Sequence, residues 1–314
     1  MTNIKSAPKS PLQRMFTPKK IKGLLMSILR TVFIIGVCFV IIYPLLTKIS
    51  ISFMQPTDLY DSTVKAIPKH FTLSNYKDTI IYTDYFKLLF NSIVFCGAVS
   101  LVQMISCTFI GYGFARFPFK WNGLLFGLVV VCMVVPIQLT FTPLYLNLKA
   151  MGLINNFGSF FVLGITGVAP RCALYIYLVR QFFKGIPLDV DEAAAIDGAG
   201  PFKTFFVIAL RSAIPIMVTV FLFSFVWQWG ENSYSLLFYS DAQTLAKSLT
   251  SLGYNIGSDV VKPGLSVVSL ANRGAYNSII YATSNLLAIF PVLILYLFSQ
   301  KSFIQSVERS GIVG

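Results

Sequence analysis

The chain has 314 residues, 55% of them hydrophobic and only 12% charged, with a mean hydropathy of +0.72. Charged residues make up about a quarter of an ordinary soluble domain, so this composition excludes a soluble enzyme or binding module and fits an all-α integral membrane protein. The net charge of +13 flanks apolar runs instead of covering a polar face, which argues against nucleic acid as a partner and reads as a topology signal.

Chemistry-bearing residues are sparse. Cys38, Cys96, Cys107, Cys132 and Cys172 lie inside apolar runs without paired spacing, as expected of buried, inert thiols. His70 is the single histidine, so a histidine-based site is nearly excluded. No phosphate-binding G-x-x-x-x-G-K-[ST] loop, metal cluster or nucleophile triad is present. The chain is expected not to be an enzyme and to hold no metal or other cofactor of its own.

Residues 1–23 are polar and basic, with Lys5, Lys9, Arg14, Lys19, Lys20 and Lys22. They lack the pattern of a cleaved signal peptide and read as a cytoplasmic tail whose last part suits the anionic leaflet. Residues 24–314 then form the membrane domain. The first span is expected within Leu24–Ser52, since about 20 apolar residues cross a bilayer. Met54–Asp84 is too polar to cross and reads as an external cap. The second span is expected at Tyr85–Phe114 and the third at Asn122–Leu146, which Pro136 and Pro143 should bend. A fourth is expected at Phe157–Gln181, a fifth at Pro215–Leu237, and a sixth at Tyr276–Ser299 with a kink at Pro291. Phe238–Ala275 is a long second external loop. With six spans and both termini inside, about fifteen Lys and Arg fall inside and about nine outside, the bias of the positive-inside rule.

Ile186–Pro215 is neither plain span nor plain loop. Pro187 suits a first helical turn, and Asp189, Asp191 and Glu192 suit the positive end of a helix dipole. Ala193, Ala194 and Ala195 favour helix. Gly198-Ala199-Gly200-Pro201 then breaks it, and a second helix is expected over Phe202–Ala213. Glu192-Ala193-Ala194, three residues, Gly198, nine residues and Ile208-Ala209-Leu210 resemble the EAA loop of bacterial ABC importer permeases. Further phrases agree: Leu73-Ser74-Asn75-Tyr76, Asn91-Ser92, Gly113-Phe114-Ala115-Arg116-Phe117, Pro143-Leu144-Tyr145 and Gly152-Leu153. Together they are similar to the maltose-type carbohydrate permeases with six spans, over about residues 70–314.

That resemblance implies a transport subunit whose permease core is about 85–299, with an EAA coupling loop at 182–213 between spans four and five. It implies a bacterial inner-membrane location. Its implied partners are a second permease, two ATPase subunits that bind ATP and Mg, and an external solute-binding protein that delivers a carbohydrate substrate. It also implies that a coupling helix docks in an ATPase cleft. The residues matched to that docking are Glu192, Ala193, Ala194, Asp197, Gly198, Phe202, Phe205 and Arg211, with Phe206 as further apolar contact. Arg211 departs from the family, which has proline there, and either softens the bend or adds a salt bridge. Gly230 stands where the family usually has asparagine.

Six residues are candidates for the substrate path: Arg171, Trp227, Gln228, Trp229, Glu231 and Asn232. Arg171 is the only basic residue deep in a span, so it faces either a cavity on the path or a structural partner such as Glu231 or Gln228. The aromatic and amide groups at 227–232 suit sugar stacking and hydrogen bonding, but tryptophans also mark membrane interfaces. Asn91, Gln103 and Gln138 read as helix–helix hydrogen bonders. Two other readings stay open: an ABC permease for a non-sugar solute, and a stand-alone carrier or channel.

Overall fold

The computed structural model describes residues 18–248 and 273–311. Most of the basic tail, much of the second long loop and the last three residues lie outside them. Every regular element among the described residues is helical. Helix α1 is Pro18–Ser52; α2, Pro56–Tyr60, and α3, Ser74–Thr83, follow in the polar segment. Then come α4, Tyr85–Arg116, α5, Asn122–Val134, and α6, Phe141–Ala150. Next are α7, Gly158–Ile165, α8, Cys172–Lys184, α9, Asp189–Ile196, and α10, Pro201–Thr204. Helices α11, Leu210–Gly230, α12, Ser233–Phe238, and α13, Arg273–Gly311, complete the order.

Helix α4 is the hub, packing against α7, α8 and α11. Its buried positions Ser92, Cys96, Val99, Gln103, Cys107 and Gly111 recur at spacings of three and four, the stripe of a helix buried on one face. Small side chains let neighbouring backbones come close where lipid gives no hydrophobic drive to association. Polar groups join the helices inside this stripe. Ser106 Oγ donates to Gly164 O at 2.6 Å, and Ser224 of α11 donates to Gln103 Oε1. Gln103 therefore makes the expected interhelix bond, whereas Gln138 lies in a 3-10 turn at 137–140, away from the buried stripe.

Four helical segments among the described residues are long and apolar enough to cross a membrane: Lys22–Ser52, Tyr85–Arg116, Pro201–Gly230 and Gly274–Gln300. The expected third span is bent by 109° between α5 and the segment Ile137–Ala150. Pro136 sits at that break, where its missing N–H and its restraint on Val135 end the first helix. The expected fourth span is also two helices, α7 and α8, separated at 166–171. Gly167 and Arg171 both take left-handed backbone there, at φ 71° and 67°. Helix α1 buries none of its apolar window within this chain, so its surface is left for lipid or another subunit. Cys38 on α1 and Cys132 on α5 are exposed, against the expectation of buried thiols. In a membrane helix an apolar run can face lipid as readily as a core.

The polar segment after α1 folds over that helix's end. Asn75 Nδ2 donates to Ser52 O and Met54 O, each at 2.8 Å, satisfying carbonyls that a helix end leaves unpaired. Asp58 is buried and accepts from the Lys69 and His70 backbone N–H groups at 3.1 and 2.9 Å, and its Oδ1 lies 2.7 Å from His70 Nδ1. Burial pushes the Asp58 pKa up, but the His70 and Lys69 contacts together outweigh it and hold the carboxyl below its ordinary value of 3.8. Folding thus favours the ionised form. This stability is present above the ordinary carboxylate pKa and is lost as pH falls through the lowered one. Asp58→Asn should therefore lower the thermal midpoint at pH 7 and flatten its decline on acidification, measured by unfolding in detergent across that range. A parallel decline in both proteins would contradict this role.

Candidate functional site

The hairpin between α8 and α11 is built from local sequence. Asp189, Asp191 and Glu192 occupy the first turn of α9, where the helix dipole favours negative charge. The helix ends in a Schellman pair: Gly198 N–H donates to Ala195 O at 3.0 Å and Ala199 N–H to Ala194 O at 2.9 Å. This closure requires the left-handed φ of 75° at Gly198. Pro201 then opens α10 at a first-turn position, and a π-helical turn at Phe205–Ala209 carries the chain into α11.

The hairpin has an inner and an outer side. Ala194 is buried, while Glu192, Ala193, Asp197 and Gly198 are exposed. Ile196 and Phe202 stand out most, at 86% and 79% exposure. Phe205 differs from the expectation that it faces outward. It is 3% exposed, with its ring 4.7 Å from Tyr112 and 4.8 Å from Phe109, both on α4. Phe206, one residue on, is half exposed. Arg211 is exposed in the first turn of α11, and the helix runs on through Pro215.

A contact that local pattern did not reveal fastens this hairpin. Arg116, at the end of α4, donates from Nη2 to Ile186 O at 3.0 Å and sets Nε 3.0 Å from Asp191 Oδ2. In the sequence Arg116 reads as a positive-inside charge and Asp191 as a dipole partner. The Ala115-Arg116-Phe117 phrase was the one signal available.

The six substrate-path candidates separate into different environments. Arg171, exposed at the α7–α8 break, lies over the Trp227 ring with its guanidinium carbon 4.0 Å from the centroid. That contact, not Glu231 or Gln228, is its observed partner, a cation–π pair worth about 0.5–2 kcal/mol. Gln228 is buried on α11. Trp229 points into the bundle, donating from Nε1 to Ala288 O at 2.9 Å and stacking on Phe225. Glu231 accepts from Ser233 N–H at 2.5 Å and so caps the start of α12, where Asn232 is the N-cap residue. Trp229→Phe should cost about 1 kcal/mol through the lost hydrogen bond, read as a lower melting midpoint with unchanged transport per folded molecule. A transport defect at unchanged stability would place Trp229 on the path instead.

A second polar–aromatic cluster lies at the other end of α4. Phe90, Asn91, Phe157, Tyr239, Asp241 and Gln243 line a cavity of about 450 Å³. Asn155 holds its rim, donating from its side chain to Asp241 Oδ2 and accepting from the Asp241 N–H at 2.9 Å.

Residues 107–309 match the family model described as binding-protein-dependent transport system inner membrane component. The arabinooligosaccharides transport system permease protein AraQ of Halalkalibacterium halodurans is 25% identical over 295 residues, covering 92% of this chain and 98% of that protein. The galactooligosaccharides transport system permease protein GanQ of Bacillus subtilis (strain 168) is 27% identical over 280 residues, covering 88% and 91%. Among solved structures, the fold is shared with a chain from the crystal structure of a bacterial ABC transporter involved in the import of the acidic polysaccharide alginate. The TM-score is 0.67 at 20% identity, over 94% of this chain and 99% of that one.

Proposed function

The chain belongs to the family of binding-protein-dependent transport system inner membrane components, and from that premise we infer that it is the permease subunit of an ABC importer for a sugar or oligosaccharide. The observation that carries this reading is the exposed, acid-rich hairpin of α9 and α10, rigidly capped at Gly198 and set between two membrane helices. A part that converts force from an ATPase into helix movement must be short, stiff and firmly seated, and this hairpin is all three. Glu192, Ala193, Ala194, Asp197, Gly198, Phe202 and Arg211 form its docking side, and Phe205 supports it from within. The likeness of the chain to a galactooligosaccharide permease favours a carbohydrate.

In this reading the six spans are α1, α4, the bent pair α5–α6, the broken pair α7–α8, α11 and α13. The hairpin and both termini face the cytoplasm of a bacterial cell. ATP and Mg are held by two partner ATPases, a second permease completes the path, and an external binding protein delivers the solute. Closure of the ATPases moves the helices on either side of the hairpin and switches access across the membrane. Arg171 and Trp227 together offer a ring face and a donor to a passing sugar.

The test is a deletion of this chain in its own cell. Uptake of labelled oligosaccharides built from glucose, galactose, arabinose or uronic acid is compared with uptake of a polyamine and of a betaine. Loss of uptake of at least one oligosaccharide, restored by the gene, is the expected result. Loss confined to the polyamine or betaine would overturn the carbohydrate assignment.

A further inference from the structure

The last two turns of α4 touch both flanks of the hairpin and, through Arg116, the first turn of α9. A β-carbon at Gly111 would stand 2.6 Å from Val179 Cγ1, so glycine is what lets α4 and α8 meet there. One residue on, the Tyr112 ring lies 5.0 Å from Phe183 at the end of α8 and 4.7 Å from Phe205 in the π turn. Arg116 then reaches the linker through Ile186 O and α9 through Asp191. The Arg116 side chain is only 7% exposed. The guanidinium donates one hydrogen bond, from Nη2 to Ile186 O, and pairs its charge with Asp191, whose Oδ2 lies 3.0 Å from Nε outside hydrogen-bond geometry. A planar guanidinium can make both contacts from one position, which an ammonium reproduces only in part. The sequence separation is large, so this clamp is not part of the hairpin's own fold.

We propose that Arg116 is a positioning residue for coupling: it locks the hairpin to α4, so that the central helix moves with the hairpin when the ATPases close. This rests on the reading of the hairpin as the ATPase-docking element. It adds a third route, through a helix not adjacent to the hairpin in sequence, to the two that flank it. The hub position of α4 gives that route its consequence, because α7 and α11 pack on the same helix. Asp191 is the matching anchor on α9, with its side chain 26% exposed and its carboxylate turned towards α4.

The experiment uses the whole complex in proteoliposomes, with the exposed Cys38 and Cys132 changed to Ser. Two reporters are introduced separately. Ile196→Cys, on the outer side of the hairpin, reports docking by cross-linking to the ATPase. Val94→Cys, on the exposed face at the far half of α4, reports helix movement through its rate of labelling by N-ethylmaleimide with and without ATP plus vanadate. With Arg116 and Asp191 intact, the nucleotide should change the labelling rate about fivefold or more, the lower end of ordinary coupling energies. Arg116→Gln and Asp191→Asn should each remove most of that change while keeping the cross-link. Arg116→Lys should restore part of it, and the exchange of Arg116→Asp with Asp191→Arg should restore more than either change alone. A full labelling response in both single variants, or no response in the chain with the clamp intact, would overturn the proposal. If Arg116→Gln does not assemble, Asp191→Asn carries the same two outcomes. Absence of the cross-link from the Ile196→Cys reporter with the clamp intact would count against the docking reading itself, a separate failure.

Discussion

Glu192→Lys and Gly198→Asp should each abolish uptake while the chain still inserts and still binds its partner permease. The local cost of either change is small. Reversing one charge in the first turn of α9 alters the dipole interaction by about 0.6–2 kcal/mol, twice the worth of a single charge, and Asp191 and Asp189 remain beside it. At Gly198 no atom lies within 4 Å of an added β-carbon. An aspartate there meets only the left-handed strain, about 1–2 kcal/mol and less for Asp than for most residues. The hairpin therefore survives, and the large effect comes from the docking side. On the proposed docking, a charge of the wrong sign, or a new carboxylate, would be forced into the ATPase cleft. Breaking a buried interfacial charge contact costs about 2–5 kcal/mol, so transport should fall about 30-fold or more. Uptake in vesicles, with membrane insertion checked by protease protection, measures both sides. Normal uptake in either variant would remove the hairpin from the coupling role.

Gly111→Leu should have the largest effect on folding. Its β-carbon would overlap Val179 Cγ1 at 2.6 Å and press on the Arg180 backbone nitrogen at 3.1 Å. Val179 Cγ1 can turn away, but Val179 Cβ, at 2.7 Å, and the backbone nitrogen cannot, so α4 and α8 must separate. Overpacking of this kind costs about 1–3 kcal/mol and occasionally more. The melting midpoint in detergent and the yield of assembled complex should both drop. Gly111→Ala should do less harm, and adding Val179→Ala to it should recover little, since Val179 Cβ at 2.7 Å and Arg180 N at 3.1 Å remain. Val179→Gly, which also removes that β-carbon, should recover more. An unchanged midpoint for Gly111→Leu would mean that the two helices are not in such close contact.

The hairpin was legible in the sequence because its signals are local. Acids, alanines, Gly198 and Pro201 each act within a turn or two of themselves, and the structure places a helix, a left-handed turn and a second helix there. Pro136 was legible for the same reason, although the size of the bend was not. The break at 166–171 was legible only in part: Pro170 inside the expected span is a local breaker, but apolar residues on both sides keep hydropathy continuous and read as one helix. Phe205 turns inward at the head of a buried stripe, Phe205, Ala209, Ala213, Ile216 and Val220, spaced by three and four. The expectation that it meets a partner came from the match of the loop and not from that spacing. The Arg116–Asp191 contact joins two separate elements, and no spacing rule reaches that far. Cys38 and Cys132 show the remaining limit: in a membrane protein, apolar sequence does not distinguish core from lipid.

Gentle purification of this chain from its own membranes, followed by identification of what comes with it, puts the importer assignment to the most direct test. A pair of ATPase subunits and a second, related permease in fixed proportion are the expected companions. A lone chain or a homo-oligomer, reproducible in mild detergent, would contradict the assignment and return the protein to the class of stand-alone carriers or channels.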